Sequence, residues 1–410
     1  MSTHPASAHP ANTHPANTDA ASVAGMAHGP DPDLSVPPGG GTGYQWEASD
    51  AEIAAAHGLD PAQVVRFDTN TSPRTAPALP GWIDAAAADG RLNEYPDATY
   101  ARLTRAISAR VGVPSGWITV GAGADEILDL AAKSCLRAGA RAVVPTPSYA
   151  MYPVVTRQRG AVLVDVPRGC PEDGFPLDEE ALLRAAAGAD LTWLCDPNNP
   201  TGTAEAQATL LGLLDRLAAQ PGGGPVVVVD EAYREFAGAS LVGEVGRFPR
   251  LVVVRTLSKA YGLAGIRVGY AVAQPALTAR LSAVRPPGSV ATLSASIAAA
   301  ALTDPAFAAT NVAMLAEERE RFRKALLDAG WRAMPSVANF LLVDMRTPEA
   351  ADAAAGRLLR HGLVPRRFGP GPLRAFVRLT VRTPDQDYRL IAVLGAGPGR
   401  GTEPGKGTAT

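Results

Sequence analysis

Short apolar runs rich in β-branched residues alternate along the middle of the chain with stretches of helical periodicity. The run Val226–Asp230 begins with four consecutive valines, which is typical of a strand buried on both faces. Stretches such as Ala124–Leu136 and Ala204–Ala219 have the spacing of helices. This alternation predicts an α/β fold with a mostly parallel sheet, at whose carboxyl edge ligands bind. The predicted strands are Trp117–Val120, Ala142–Pro145, Leu191–Cys195, Val226–Asp230, Leu251–Arg255 and Val268–Val272.

The pattern changes after about Pro286, where helical spacing predominates in Ala298–Thr303 and Asp304–Gly330. The run Thr310–Asp328 is long enough to connect two parts of the molecule. A strand at Asn339–Asp344, a helix at Pro348–His361 and a strand at Ala375–Val381 follow. We therefore predict a large domain over residues 75–286 and a smaller α+β domain made of residues 44–74 and 287–395.

The two ends of the chain lack these patterns. Residues 1–43 are dominated by Pro, Ala, Ser, Thr and Gly, and the pentapeptide His-Pro-Ala-Asn-Thr occurs twice. Such a composition does not bury enough apolar surface to offset the entropy of ordering, so residues 1–43 are predicted to be disordered. Residues 396–410 are rich in glycine and are predicted to be a flexible tail. The histidines of the first segment have no partners that supply a metal geometry, so we expect no metal site.

Charge, hydropathy and cysteine content exclude several classes of protein. The 38 Lys and Arg residues nearly balance the 40 Asp and Glu residues, which indicates no nucleic-acid or anionic-membrane partner. No run of about 18 apolar residues predicts a membrane span, and no signal peptide is recognisable. The three cysteines match no zinc pattern and their odd number fits a reducing compartment, so a cytoplasmic location is predicted.

A lysine at the end of a predicted strand is the first candidate for chemistry. Lys259 follows the strand Leu251–Arg255, and its amine could form an imine with an aldehyde. Thr256, Ser258 and Arg267 supply hydroxyl groups and a guanidinium that suit a phosphate. Taken alone, the position favours an ordinary surface lysine after a strand over a catalytic one.

Two further strand ends carry polar side chains. Asp230 ends the valine strand and Tyr233 lies three residues on, so a buried carboxylate there would need a cation, such as a protonated pyridine nitrogen. The alternative is an ordinary helix N-cap. Asn199 lies in the string Asp196–Gly202, whose Asn-Pro and Thr-Gly steps also predict a simple turn.

The glycine-rich string Gly121–Glu126 connects a strand to a helix. The helix N-terminus there would offer free N–H groups to a phosphate. The string is not a complete dinucleotide fingerprint, because Glu126 stands where a third glycine is needed. Tyr149 could stack on an aromatic ring, or it could be a core residue.

The order of these motifs resembles that of the fold-type I aminotransferases, which use pyridoxal 5′-phosphate. The strings GAGADE, PSYAMY, DPNNPTG, DEAYREF and RTLSKAYGLAGIRVGY follow one another over residues 60 to 395, together with NEYPD, ANF and RLTV. The nearest resemblance is to the histidinol-phosphate aminotransferase family. It implies a large domain with a mostly parallel sheet flanked by helices, and a smaller α+β domain.

The resemblance also implies a role for each candidate residue. Lys259 would be the lysine that binds the cofactor as a Schiff base and moves the proton, and Asp230 the partner of the pyridine nitrogen. Asn199 and Tyr233 would bind the ring oxygen, and Tyr149 would stack on the ring. The phosphate would be held by Ala124, Asp125, Thr256, Ser258 and Arg267.

Three more residues take roles from the same resemblance. Tyr95 would reach the cofactor phosphate of a neighbouring subunit, which implies a homodimer. Arg378 would hold the acidic end of the substrate together with Arg366, although Arg367 adjoins the latter and an alignment could slip by one residue.

The chain departs from the family's common pattern in two places. The string Asp68–Pro73 reads DTNTSP, where many members have Asn-Glu-Asn-Pro, and Arg382 stands where a glycine is usual. The cofactor chemistry is unaffected by these changes, but they bear on the substrate.

The resemblance implies that histidinol phosphate and 2-oxoglutarate are converted to imidazole-acetol phosphate and glutamate, a step of histidine biosynthesis. An aromatic amino-acid aminotransferase and a phosphothreonine-type decarboxylase with the same cofactor are the alternatives. The partners are then a small-molecule amino donor and a 2-oxo acid. A regulator's effector domain and a nicotinamide dehydrogenase are disfavoured, because residues 1–43 contain no helix-turn-helix and the dinucleotide fingerprint is incomplete.

Overall fold

The protein is described by a computed structural model over residues 48–89 and 92–397. The predicted tail at residues 1–43 and most of that at residues 396–410 lie outside the described residues. In chain order the strands of the described part are β1 (Val65–Phe67), β2 (Ile118–Gly121), β3 (Arg141–Thr146), β4 (Val162–Pro167), β5 (Leu191–Cys195), β6 (Val226–Asp230), β7 (Leu251–Thr256), β8 (Gly269–Ala273), β9 (Arg332–Ala333), β10 (Phe340–Asp344), β11 (Leu363–Arg367) and β12 (Phe376–Thr380).

Side-chain caps mark the N-termini of four of the α-helices in the described residues, at Ser49, Asp178, Thr347 and Thr383. The Thr383 hydroxyl accepts a hydrogen bond from the Gln386 N–H, and the Gln386 side chain accepts one from the Thr383 N–H, so a capping box starts the last helix. The α-helices of the described residues are α1 (Asp50–His57), α2 (Leu79–Asp89), α3 (Ala101–Val111), α4 (Gly123–Cys135), α5 (Met151–Gln158), α6 (Glu179–Ala186), α7 (Gln207–Ala218), α8 (Pro275–Ala283), α9 (Thr292–Thr303), α10 (Ala306–Asp328), α11 (Pro348–Leu359) and α12 (Pro384–Leu394).

A seven-stranded sheet, here called the large sheet, has the order β2-β8-β7-β6-β5-β3-β4. Its strands run in one direction except β8, which is antiparallel to both β2 and β7. The mostly parallel α/β fold predicted from the sequence is confirmed. All six predicted strands of this region are present, with ends within one residue of the prediction.

The large sheet is buried on both faces by helices. In β6, Val227 and Val229 belong to one hydrophobic cluster, whereas Val226 and Val228 belong to the cluster on the other face. Successive side chains of a strand point to opposite faces, so a strand between two cores must be apolar at every position. Each fully buried valine stabilises the fold by roughly 1.5–3 kcal/mol relative to an exposed one.

The strand β4 was not predicted from the sequence. It lies at the edge of the large sheet, where Val162 is half exposed and Val166 is buried. An edge strand needs no continuous apolar run, because only part of its surface is covered. The run Val162–Val166 is nevertheless apolar except at Asp165, so the sequence contained a strand signal that the prediction did not use.

A second sheet of five strands, here called the small sheet, has the order β1-β11-β12-β10-β9. Its first strand, β1, comes from the segment predicted to join the small domain and pairs in parallel with β11. Helix α9 begins six residues earlier than the predicted Ala298–Thr303 segment. The division at residues 75 and 286 stays a prediction, because the described residues all fall within one compact unit.

Helix α10 contacts residues of both parts of the chain. The Asn311 amide donates to the carbonyl of Ala260, close to Lys259, at 2.9 Å. Towards its other end, Phe322 and Leu326 pack in the small-sheet core. Among the described residues no single helix is long and apolar enough to span a membrane; α9 and α10 meet that test only as a pair bent by 77°.

Candidate active site

A cavity of about 320 Å³ lies at the carboxyl edge of the large sheet. Parallel strands bring their carboxyl ends together, so Cys195 of β5, Asp230 of β6 and Thr256 of β7 all line it. Of the residues that the sequence singled out, those lining the cavity are Ala124, Asp125, Tyr149, Asn199, Asp230, Tyr233, Thr256, Ser258, Lys259, Arg267, Arg366 and Arg378.

Lys259 carries a buried amine in this cavity. Its Nζ lies 3.4 Å from the carbonyl oxygen of Thr69 and 5.7 Å from the centre of the Tyr233 ring. Burial lowers the pKa of Lys259 to about 8, and the positive charge of Arg378 adds to this shift. A substantial fraction of the amine is therefore neutral near physiological pH, which a nucleophile and proton carrier requires.

Asp230 carries a buried carboxylate whose direct partners are two hydrogen-bond donors. It accepts hydrogen bonds from the Tyr152 hydroxyl at 2.9 Å and the Ala232 N–H at 3.0 Å. None of the ion pairs within residues 48–89 and 92–397 includes Asp230. Burial raises its pKa to about 6, while the Tyr152 hydrogen bond opposes the shift. A cationic group in the cavity would stabilise its ionised form.

Tyr152 was not singled out by the sequence, although it belongs to the string PSYAMY. Its ring is fully buried and stacks on Trp193, with centroids 5.3 Å apart and planes inclined by 10°. The Trp193 indole N–H donates in turn to the Thr156 hydroxyl at 3.0 Å. The hydroxyl that supports Asp230 is thus held by packing on the sheet face.

A close approach of α4 to β8 forms a cradle suited to an anion. A side chain at Gly269 would place its Cβ 2.5 Å from the Gly123 carbonyl carbon, and one at Gly123 would place it 2.5 Å from Arg267 Nη2. Because Gly123 and Gly269 have no side chains, the first N–H groups of α4 lie beside the Arg267 guanidinium. The Thr256 and Ser258 hydroxyls, 2.9 Å apart, complete the cradle.

Asp125 lies in this cradle, where its backbone rather than its carboxylate suits an anion. Its carboxylate accepts from the Tyr149 hydroxyl at 2.9 Å and from Arg267 Nη2 at 3.2 Å. A carboxylate repels a phosphate, so the group it offers an anion is its backbone N–H in the first turn of α4. The hydrogen bond also orients Tyr149, whose ring lines the cavity.

The side chains opposite the cradle are tied to one another by hydrogen bonds. Arg378 Nη1 donates to Asn199 Oδ1 at 2.6 Å, so the Asn199 amide N–H₂ is left to donate into the cavity. The Tyr233 hydroxyl accepts from Asn70 Nδ2 at 2.9 Å, and its ring packs edge-on against Phe340. Arg378 is buried and its Nε has no hydrogen-bond partner, which leaves it suited to an anionic ligand.

The structure resolves the ambiguity between Arg366 and Arg367. Arg366 is paired across β11 and β12 with Arg378 and lines the cavity. Arg367 points away, where its Nη2 binds Asp352 at 2.7 Å and its Nη1 donates to the Phe376 carbonyl. Adjacent residues of a strand face opposite sides, so only one of the two arginines reaches the cavity.

Tyr95 is the one predicted site residue that does not line the cavity. Its side chain is 96% exposed. The role predicted for it requires a second subunit, and it stays a prediction.

Several cavity residues were not singled out individually. The segment Asp68–Thr71 was noted only as a departure from a pattern, yet all four of its residues line the cavity. Phe368 and Leu373 form an apolar side, from the loop between β11 and β12. No local motif marks these two residues, because the loop is brought to the site only by the pairing of its strands.

The chain belongs to the class I and II aminotransferase family. The sequence profile described as "Aminotransferase class I and II" matches residues 63–394. With this membership, the protein is a pyridoxal-phosphate-dependent transaminase that acts on small-molecule amino donors and 2-oxo acids.

Within this family, the chain is similar to histidinol-phosphate aminotransferases of other organisms. Histidinol-phosphate aminotransferase 2 of Ralstonia nicotianae is 37% identical over 356 residues, which cover 84% of this chain and 91% of that protein. Histidinol-phosphate aminotransferase of Symbiobacterium thermophilum is 38% identical over 82% of this chain and 91% of that one. The crystal structure of histidinol-phosphate aminotransferase from Sinorhizobium meliloti, in complex with pyridoxal 5′-phosphate, matches with a TM-score of 0.79 at 27% identity, covering 91% of this chain and 98% of that one.

The site residues fit pyridoxal 5′-phosphate. The cofactor carries a phosphate, a ring nitrogen that gains a positive charge, and an aldehyde. The cradle around Gly123 and Arg267 suits the phosphate, and the buried Asp230 lacks the cation that the ring nitrogen supplies. The buried Lys259 amine suits the aldehyde.

Proposed function

We propose that the protein transfers the amino group of histidinol phosphate to 2-oxoglutarate, giving imidazole-acetol phosphate and glutamate in histidine biosynthesis. The observation that carries this proposal is the pair Arg366 and Arg378 on neighbouring strands of a cavity that also holds Lys259. Two guanidinium groups suit a phosphate monoester or a carboxylate. The same pair therefore serves the phosphate of the donor and the distal carboxylate of the oxo acid in turn.

The bound cofactor supplies an electron sink that allows the α-proton of an amine to be lost. We propose that Ala124, Asp125, Thr256, Ser258 and Arg267 hold its phosphate, and that Asp230 keeps its ring nitrogen protonated. Asn199 and Tyr233 donate to its ring oxygen, and Tyr149 covers one face.

Lys259 is proposed to have two roles in this chain. Its amine binds the cofactor between turnovers. Once the amino donor has displaced it, the same Nζ takes the proton from the donor's α-carbon and returns a proton on the way to product. A pKa of about 8 suits both roles, since the amine alternates between neutral and protonated forms near neutral pH.

The apolar side of the cavity bears on the choice among donors. Phe368 and Leu373 would contact the ring of the substrate, and an imidazole or a phenyl ring fits such a wall. An aromatic amino-acid aminotransferase and a phosphothreonine-type decarboxylase are the alternative functions, and an experiment distinguishes them.

The decisive experiment is the absorbance spectrum of the protein loaded with pyridoxal 5′-phosphate, recorded before and after one donor is added without an oxo acid. Conversion to the pyridoxamine form with histidinol phosphate, and much slower conversion with phenylalanine, is the expected result. Conversion with phenylalanine alone would support an aromatic aminotransferase. Release of carbon dioxide from phosphothreonine would support a lyase.

We also propose a homodimer with shared active sites. The exposure of Tyr95 supports it, because an aromatic side chain that is almost fully exposed suits a subunit contact. The neighbouring Pro96 lines an apolar depression of about 110 Å³ together with Tyr100 and Leu103. A cytoplasmic location is proposed with it, since all three cysteines are free.

Subunit mixing tests the shared site. A Tyr95→Phe subunit paired with a Lys259→Ala subunit should form one site in which both Lys259 and Tyr95 are intact. Each mixed dimer should therefore have about half of the activity of a wild-type dimer. The control is the same mixing experiment with Tyr388→Phe subunits. These are altered at an unrelated exposed tyrosine and should keep the wild-type absorbance spectrum. No gain of activity in the Tyr95–Lys259 mixture would contradict the shared site.

A further inference from the structure

Three side chains at alternate positions along β12 and its continuation bind one segment beside the cavity. Alternate residues of a strand lie on the same face, so Arg378, Thr380 and Arg382 form a row. The row contacts residues 67–71, here called the 67–71 segment. The contacts are Thr380 Oγ1 to the Phe67 carbonyl at 2.8 Å, Arg378 Nη2 to the Asp68 carbonyl at 2.5 Å, and Arg382 Nη1 to the Thr71 carbonyl at 3.2 Å.

The 67–71 segment in turn contacts two groups of the site. The carbonyl oxygen of Thr69 lies 3.4 Å from Lys259 Nζ, and Asn70 Nδ2 donates to the Tyr233 hydroxyl at 2.9 Å. Asn70 has a φ of 53°, in the left-handed region, which few residues adopt without support from their surroundings. The conformation of this segment therefore determines what Lys259 and Tyr233 contact.

The Arg382 backbone N–H donates to Asp387, whereas within the described residues its guanidinium hydrogen-bonds only to Thr71. Its guanidinium forms no ion pair with a carboxylate of the described residues, and its Nε is buried without a hydrogen-bond partner. Burial lowers its pKa, so the charge is held there at a cost. The hydrogen bonds of its side chain go to Thr71, to the carbonyl oxygen at 3.2 Å and to Oγ1 at 3.4 Å.

The three members of the row differ in whether the substrate reaches them. Arg378 lines the cavity, so an anionic substrate competes with the Asp68 carbonyl for its guanidinium. Arg382 does not line the cavity, so a substrate bound there does not compete directly for its guanidinium.

We propose that Arg382 is a positioning residue, which fixes the 67–71 segment and thereby keeps the Thr69 carbonyl against Lys259 and the Asn70 amide against Tyr233. The inference rests on the proposed roles of Lys259 and Tyr233. Its effect on the segment itself is independent of those roles and is measured separately.

Hydrogen–deuterium exchange of the holoenzyme tests the effect on the segment. The Asn70 N–H donates to Thr380 Oγ1 at 2.9 Å, so it reports directly on the row. Arg382→Met should raise the exchange rate of a peptide covering residues 67–71 by about fivefold, since the loss of one anchoring hydrogen bond costs on the order of 1 kcal/mol. Peptides from β6 should be unchanged. Arg382→Lys, which keeps a donor, should restore most of the protection.

The isotope effect of an α-deuterated donor tests the effect on proton transfer. A displaced Lys259 slows removal of the α-proton, so the first half-reaction of Arg382→Met should fall about tenfold at saturating donor. The deuterium isotope effect should rise, and KM for the donor should change little. Thr71→Val keeps the carbonyl contact and removes the weaker contact, to Oγ1, together with the hydrogen bond between the Thr71 and Thr69 hydroxyls, so it should have a smaller effect.

Arg389→Met is the matched control. Arg389 also donates to two backbone carbonyls, those of Gln63 and His361, but touches neither the 67–71 segment nor the cavity.

Unchanged exchange of residues 67–71 in Arg382→Met would overturn the proposal, as would faster exchange with an unchanged rate and isotope effect. If Arg382→Met lowers Tm by more than about 5 °C, Arg382→Gln is measured by the same criteria. A wild-type protein that no donor converts would instead contradict the proposed function, and the exchange result would still decide whether Arg382 holds the segment.

Discussion

Burial shifts the two central groups of the site in opposite directions. The pKa of Lys259 is lowered to about 8 and that of Asp230 is raised to about 6, in each case chiefly by loss of solvent. Both pKa shifts mean that the cavity favours the neutral form of each group. On the proposed assignment, the protonated ring nitrogen of pyridoxal 5′-phosphate would offset the cost of an ionised Asp230, and its aldehyde would react with the neutral form of Lys259.

The first prediction concerns the amine of Lys259. Because only the neutral amine reacts, labelling of Lys259 in the cofactor-free protein by acetic anhydride should increase with pH around a midpoint near 8. Arg378→Gln removes a positive charge that lowers this pKa, so its midpoint should lie at higher pH. Mass spectrometry of the labelled peptide gives the midpoint, and Lys259→Ala confirms its assignment. A wild-type midpoint near that of an unperturbed lysine, about 10.4, would contradict the prediction.

The second prediction concerns the hydroxyl of Tyr152. Tyr152→Phe removes a hydrogen bond that lowers the pKa of Asp230, so that pKa should rise above about 6. The protonated acid binds a ring cation poorly. The dissociation constant for pyridoxal 5′-phosphate should therefore rise by about tenfold or more near pH 6.5, and by less at higher pH where Asp230 is ionised in both proteins. Tyr388→Phe, at an exposed tyrosine, is the control. Equal dissociation constants at all pH values would contradict the role of Tyr152.

At the scale of elements, one close contact joins the anion cradle to the sheet. The backbones of β8 and α4 meet at Gly269 and Gly123 with no room for a side chain. The contact exists because β8 pairs with β2, which leads directly into α4. The position of the helix N-terminus is thus set by the sheet.

A pair of glycine substitutions tests this contact, and the two are expected to act in opposite directions. Gly269→Ala places a methyl group 2.5 Å from the Gly123 carbonyl carbon, so it should lower Tm and weaken pyridoxal 5′-phosphate binding. Gly212→Ala in the middle of α7 meets nothing within 4 Å, so it should stabilise the protein by about 0.5–1 kcal/mol. Calorimetry and cofactor titration measure both. A Gly269→Ala protein that binds the cofactor as the wild type does would show that the cradle tolerates the shift.

At the scale of the whole molecule, α10 and α12 enclose two acidic side chains. Asp387 is fully buried, and its pKa is raised by burial and by a hydrogen bond with Glu318. Arg321 binds Glu318 from the same helix, and the Arg382 N–H donates to Asp387. The folded state therefore retains a proton on Asp387 that the unfolded state releases above about pH 4.

This difference makes stability depend on pH. The contribution of Asp387 is complete below about pH 4 and is lost as the pH rises towards its folded-state pKa. Asp387→Asn keeps the shape and carries no titrating proton, so its free energy of unfolding should fall less than that of the wild type between about pH 6 and about pH 9. Denaturant titrations across this range give the comparison, with Asp385→Asn as the exposed control. Parallel pH profiles for Asp387→Asn and the wild type would rule the effect out.

The sequence by itself determined the elements and motifs that are encoded locally. The central strands have continuous apolar runs because both faces are buried, so their ends were predicted to within one residue. Asp230, Asn199 and Lys259 follow such strands, and the carboxyl ends of parallel strands meet, so their assembly followed from the fold class. The loop bearing Phe368 and Leu373 gave no comparable local signal, whereas the edge strand β4 has an apolar run that the prediction missed.

Only the tertiary structure decided which side chains meet across long separations. Thr71, in the string Asp68–Pro73 that departs from the family pattern, and Arg382, the other departure, are 311 positions apart in the chain and yet form one contact. Arg366 rather than Arg367 faces the cavity because of the register of β11 on β12. Tyr152 reaches Asp230 only through packing on the large sheet. Local patterns encode the strand and helix periods, whereas register, packing and non-local hydrogen bonds depend on residues that the local sequence does not contain.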